Sequence, residues 1–282
     1  MLGSLNSGVS GLRNFQNEMD VIGNNIANSN TIGFKSARAD FADALSQTLQ
    51  DPSASGSPAM QLGSGVTTSA VRNMYDQGSL TRTGVQTDLA VSGDGFFVVK
   101  DSVDGQQFAT RAGDFRVDNN GYLVTNSGLR IQGFSDAGLS TQGDILIDGT
   151  GRPSTSSPTA TVQGFSIDQN GKLTVHLSDN TDFVRGQILL QKFNNPQALV
   201  KEGNSLYSNM NGAGPLGGST PTPAAPGSSG LGQIQSGTLE LSNVDLTNEF
   251  ANLITTQRGF QASARVITTS DELLQELVNL KR

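Results

Sequence analysis

Apolar residues open the chain at helical spacing. Leu2, Leu5, Val9, Leu12, Met19 and Ile26 step by three and four, with one polar slot at Gln16. Phe15 and Ile22 widen the stripe, so the segment predicts an amphipathic helix with a heptad-like seam. It ends in the Asn-rich run 24–33, which is turn chemistry. The far end mirrors it. Leu246, Phe250, Leu253, Ile254, Phe260, Ile267, Leu274 and Leu277 mark one face of a long helix that Ser242 or Asn243 can cap. Gly259 sits inside it at a cost of about 1 kcal/mol relative to Ala.

Between the ends the period falls to two. Phe96-Phe97-Val98-Val99 reads as a short buried strand. Asp118-Asn119-Asn120-Gly121 and Asp168-Gln169-Asn170-Gly171 each separate two alternating apolar runs, and Asn-Gly there signals a hairpin. Residues 36–50 predict a short helix around Phe41, Leu45 and Leu49, and 51–58 an exposed loop. Residues 210–232 are nearly all Gly, Pro, Ser, Thr and Ala and predict a solvated linker or long loop. The expected class is α+β: terminal helices pairing as a coiled coil, with a central all-β domain of antiparallel hairpins. The expected division is 1–33 with 243–282 as a helical core, 34–85 as a connecting segment, and 86–242 as the β domain.

Composition removes several chemistries. Among 282 residues there is no Cys, which excludes disulfides, thiol nucleophiles and cysteine zinc sites. The single histidine, His176, argues against His-based metal binding and a Ser-His-Asp enzyme; in an alternating strand it reads as a surface or packing residue. The two Asp/Asn turns lack an EF-hand's later ligands, and the Gly-rich stretches match no phosphate-binding fingerprint. No catalytic residue, metal site or cofactor is expected. A net charge of −7 makes nucleic acid a poor partner. The N-terminus lacks the basic and apolar regions of a cleaved signal peptide, and no apolar run is long enough for membrane insertion.

The ends matter because of their length. Residues 244–281 as one helix span roughly 55 Å, more than a small β domain can cover. The ends are expected to pair, and the remaining apolar surface to meet other subunits. A plain helical hairpin packed on one β domain fits the pattern alone equally well. Outside the polymer class stand a carbohydrate-active β domain using two carboxylates and a soluble chaperone or cap-like scaffold.

Residue identity narrows this. Asn24-Asn25-Ile26-Ala27-Asn28-Ser29-Asn30-Thr31-Ile32-Gly33-Phe34-Lys35 resembles the N-terminal signature of bacterial flagellar rod and hook proteins. Ser7-Gly8-Val9-Ser10-Gly11-Leu12, Leu89-Ala90-Val91-Ser92-Gly93-Asp94-Gly95-Phe96-Phe97, Leu241-Ser242-Asn243-Val244-Asp245-Leu246 and Thr256-Gln257-Arg258-Gly259-Phe260-Gln261 resemble further blocks of that family, in the family's order. The resemblance implies a tube that transmits motor torque to the filament, with the terminal helices inside and the β domain outside. It implies a homopolymer that meets neighbouring rod, hook-cap and hook-filament junction proteins. It also implies export through the flagellar type III apparatus without signal cleavage. The polymer contacts are then expected at Leu5, Val9, Leu12, Met19, Ile26, Leu246, Phe250, Leu253, Phe260, Ile267, Leu274 and Leu277. Residues 242–247 look more like hook proteins, so the hook is expected ahead of the distal rod. Gly63-Ser64-Gly65 is the expected joint between β domain and helices.

Overall fold

The computed structural model describes residues 2–50, 60–154, 156–157, 159–216, 218 and 221–280; the loop expected at 51–58 lies outside them. The chain is α+β and divides into two units. One holds residues 1–29, 35–74 and 244–282, the other residues 30–34 and 75–243.

The first unit contains α1 (Leu2–Ala27), the strands β1 (Ala37–Asp43), β2 (Ser46–Gln50), β3 (Met60–Gly63) and β4 (Val66–Asn73), and α2 (Leu246–Leu280). Residues 37–43 and 46–50 are strands, not the predicted helix. β1 pairs antiparallel with β4, and β2 with β3. The four-residue spacing of Phe41, Leu45 and Leu49 suggested a helix, but Leu45 is 92% exposed and anchors no helical face. Ladder pairing with the β-branched strand Val66–Asn73 overrides a weak local period. Gly63 and Gly65 lie at the β3–β4 turn inside this unit, whose boundaries fall at 29/30, 34/35, 74/75 and 243/244. They are therefore not a joint between the units.

α2 starts later than expected, because Asp245 caps it. Its Oδ1 accepts from the Thr247 and Asn248 N–H groups at 2.9 and 3.4 Å, satisfying donors that a helix start leaves open. Asn243, an expected cap, instead donates from its backbone to Phe34 O and from its side chain to Asp76 O.

The second unit carries β5 (Leu80–Arg82), β6 (Leu89–Ser92), β7 (Phe96–Lys100), β8 (Gln107–Thr110), β9 (Arg116–Val117), β10 (Leu123–Val124), β11 (Arg130–Phe134), β12 (Gln142–Asp144), β13 (Val162–Ile167), β14 (Lys172–Leu177), β15 (Asp182–Ile188), β16 (Leu190–Gln191), β17 (Val200–Gly203), β18 (Leu206–Ser208), β19 (Gln233–Ser236) and β20 (Thr238–Glu240). Every ladder among the described residues is antiparallel. The main sheet runs β13-β14-β15-β11-β7-β8-β18-β17. Both predicted hairpin turns form: Gly121 N donates to Asp118 O at 2.8 Å, and Gly171 N to Asp168 O at 3.0 Å.

β7 is central and buried on both faces, which explains its unbroken apolar run. Phe97 and Val99 enter a core with Leu123, Ile131, Leu173 and Ile188. Phe96 and Val98 enter another with Phe193, Leu199, Tyr207 and Met210. Each such side chain contributes about 1.5–3 kcal/mol of burial. The segment 210–232 is not a free linker. Asn194 N donates to Gly214 O, Leu190 and Ala224 exchange both backbone hydrogen bonds, and Ala213 and Leu231 are buried. Gly212, Gly218 and residues 227–230 are exposed, so the described part of the segment is a long loop, as the second of the two expectations has it, pinned to the sheet at a few points.

Candidate functional site

The two terminal helices lie side by side within the first unit and run antiparallel. Contacts descend along α2 as they ascend along α1. Ser4 Oγ is 3.4 Å from Ser270 Oγ. A Cβ on Gly8 would stand 3.0 Å from Ile267, and one on Gly11 3.0 Å from Ser263 Oγ. Phe15 lies over Gly259, and Asn25 Nδ2 donates to Glu249 Oε1 at 3.0 Å. On α2, Glu249, Thr256, Ser263 and Ser270 recur every seven residues, and so do Leu253, Phe260, Ile267 and Leu274. All eight are buried or half-buried. On α1 the facing row is Ser4, Gly8, Gly11, Phe15, Ile22 and Asn25.

This arrangement divides the residues expected from sequence. Leu253, Phe260, Ile267 and Leu274 share the half-buried α2 face, whereas Leu246, Phe250 and Leu277 are exposed, together with Ile254, Leu273 and Leu280. Leu5, Val9, Leu12, Met19 and Ile26 are half-buried, one position around the helix from the row that meets α2. Phe15 and Ile22 of that row belong to the expected stripe, whereas Ser4, Gly8 and Gly11 escape it because Gly and Ser carry no hydrophobic signal. Small residues at three- and four-residue steps were the available clue.

The adjoining face of α1 holds the β ribbon. Asn14 is buried and donates from Nδ2 to Val66 O at 2.8 Å, while Thr68 Oγ1 donates to Asn14 Oδ1. Ser10 Oγ accepts from Val66 N at 3.3 Å.

The Asn-rich signature forms the exit from α1. Asn24, Ala27 and Asn30 are exposed, Ile26 is half-buried, and Asn28 Nδ2 donates back to Asn24 O at 2.9 Å. Asn25 is 1% exposed and exchanges two hydrogen bonds with the Ala37 backbone besides its bond to Glu249. It fixes the start of β1 against both helices. Partial burial raises the Glu249 carboxyl above its usual range, the Asn25 bond opposing and Asp245 reinforcing the shift. Lys35 is fully buried. Beside α1, β1 and α2 lies a groove of about 660 Å³, lined by Ile22, Phe41, Met74 and Glu249 among others.

In the second unit, Gly33 has φ +65°, and a Cβ there would fall 2.5 Å from Ala112 N; only glycine fits. Its N–H donates to Glu240 O at 2.9 Å, and Lys201 Nζ stands 4.6 Å above the Phe34 ring. Glu240 is fully buried and accepts from Arg111 Nη1 at 3.2 Å and from Gly78 N at 2.9 Å. Arg111 also donates to Gly93 O and lies over Phe96. Through its backbone oxygen and its carboxylate, Glu240 ties together the passages at 33, 78 and 240, close to the unit's boundaries in sequence.

Three stretches match described sequence families: residues 5–35 "Flagella basal body rod protein", 90–175 "Flagellar hook protein FlgE/F/G D1 domain", and 235–280 "Flagellar basal body rod FlgEFG protein C-terminal". Over 287 aligned positions and the full length of both chains, the sequence is 40% identical to the flagellar basal-body rod protein FlgG of Bacillus subtilis (strain 168). The FlgG of Buchnera aphidicola subsp. Baizongia pistaciae is 34% identical over 95% of each chain. The flagellar hook protein FlgE of Borreliella burgdorferi is 29% identical over all of both chains, but the alignment runs to 449 positions. A crystal structure of Helicobacter pylori flagellar hook protein FlgE2 aligns at 16% identity and TM-score 0.22, over 66% of this chain and 47% of that one.

Proposed function

This chain belongs to the family of bacterial flagellar rod and hook proteins, and we propose that it is the distal-rod subunit of the basal body, polymerising through its terminal helices. The observation that carries the rod reading is the 40% identity over the full length of both chains to a basal-body rod protein. The hook reading, suggested by residues 242–247, has weaker support: 29% identity, in an alignment stretched by large insertions.

The helices supply the polymerising surface in two layers. The half-buried row around Ile267 holds α2 to α1 as a coiled coil within one copy. The exposed row of Leu246, Phe250 and Leu277 is left for neighbouring copies. The partners are further copies of the chain and the adjoining axial proteins, reached after export through the type III apparatus. The role is structural, not enzymatic.

Electron microscopy of the concentrated protein tests this. Straight tubes are expected. Curved tubes would transfer the chain to the hook, and persistent monomers would overturn the polymer reading.

A further inference from the structure

One polar arrangement on the second unit stands apart from assembly. Ser166 on β13, His176 on β14 and Asp182 on β15 occupy three neighbouring strands at one end of the main sheet. His176 Nδ1 is 2.6 Å from Asp182 Oδ1, and its Nε2 is 3.1 Å from Ser166 Oγ. An ionised carboxylate only accepts, so in the neutral ring the proton sits on Nδ1. Nε2 then presents its lone pair, and the Ser166 hydroxyl donates to it.

The register explains how one histidine reaches both partners. His176 faces Asp182 directly on β15 and Gly164 directly on β13. Ser166 is the diagonal neighbour of His176 on the same face of the sheet, within reach of an imidazole ring. A Cβ at Gly164 would meet nothing within 4 Å, and Ser166 is exposed. The hydroxyl is therefore open to a small molecule arriving from solvent.

We propose that Ser166 is an activated hydroxyl that accepts the acyl group of small activated esters, with His176 as its general base and Asp182 as the residue that fixes the imidazole tautomer. The Ser166 Oγ–carbonyl carbon bond forms as the bond from that carbon to the leaving oxygen breaks. The hydroxyl proton passes to Nε2 and from there to the departing alkoxide or phenoxide. The site is an open sheet face without an enclosing cleft. It suits one covalent modification by an unhindered donor, not repeated turnover.

The test treats the full-length protein with p-nitrophenyl acetate and maps acetylation by peptide mass spectrometry. Wild type is expected to carry the acetyl group on Ser166, and Ser166→Ala to lose that label. His176→Gln and Asp182→Asn should each slow Ser166 labelling by about tenfold or more, as loss of an organised general base does, with unchanged circular dichroism. The two variants probe the relay independently, so misfolding of one leaves the other to decide. Labelling only at other residues, or Ser166 labelling at the wild-type rate in a folded relay variant, would overturn the proposal.

Discussion

Phe15 packs its ring directly over Gly259, so closely that a Cβ at 259 would stand 2.6 Å from Cζ. A glycine inside a long helix weakens it locally, and here that loss is offset by letting a large ring from the other helix come in. Gly259→Ala should gain about 1 kcal/mol of helix propensity and lose about 1–3 kcal/mol to overpacking. The net effect is a lower melting temperature of the helical circular dichroism signal. Adding Phe15→Leu should recover part of the loss, and a double-mutant cycle measures the coupling.

The exposed and half-buried rows of α2 should behave differently. Leu277 is 50% exposed, so Leu277→Asp should leave the monomer's helix content intact and abolish polymerisation. Leu253→Asp and Phe260→Asp place a charge in the half-buried row and should lower both helix content and assembly. Sedimentation and circular dichroism on the same samples separate the two classes. Equal loss of helix in all three variants would contradict the two-row arrangement.

The Arg111–Glu240 pair is fully desolvated, so removing one partner leaves a buried charge. Arg111→Met should cost about 3–5 kcal/mol, read as a lower urea midpoint for the β unit. Combining it with Glu240→Leu should restore part of the loss, because no lone charge then remains; the Gly78 N–H loses its acceptor and keeps the recovery incomplete.

Glu249 sets the direction of a pH response. Its carboxyl is raised in the folded state, so between the unfolded and folded values the native protein holds more protons. Stability of the helix pair must then fall as pH rises through that interval, just above the ordinary glutamate range. Glu249→Gln keeps an acceptor for Asn25 and removes the titration. The variant should be more stable than wild type at neutral pH and should flatten this part of the stability-against-pH curve, followed by thermal melts.

Features that were legible in the sequence are local ones. The α1 stripe, the β7 run and the two Asn-Gly hairpins follow from period and turn chemistry within a few residues. What escaped depends on distant partners. Phe41, Leu45 and Leu49 stand four apart around β1 and β2, and only pairing with β4 and β3 makes those segments strands. The α2-facing row of α1 begins with Ser4, Gly8 and Gly11, which an apolar pattern cannot register. Asn25 and Glu249 meet across 224 positions. Ser166 and His176 meet only through a cross-strand diagonal between β13 and β14.

The interleaving of the two units along the chain has a consequence for the order of events after synthesis. α1 emerges first, yet its partner lies in the last segment, and the Ser4–Ser270 contact spans 266 positions. The β unit, apart from residues 30–34, is contiguous from Tyr75 to Asn243, so its ladders close over shorter loops and can precede the helix pair. The pairing of the two helices is thus expected to follow the β ladders. Until they join, α1 has no α2 to lie against, and the surface that would link one copy to the next is not yet assembled.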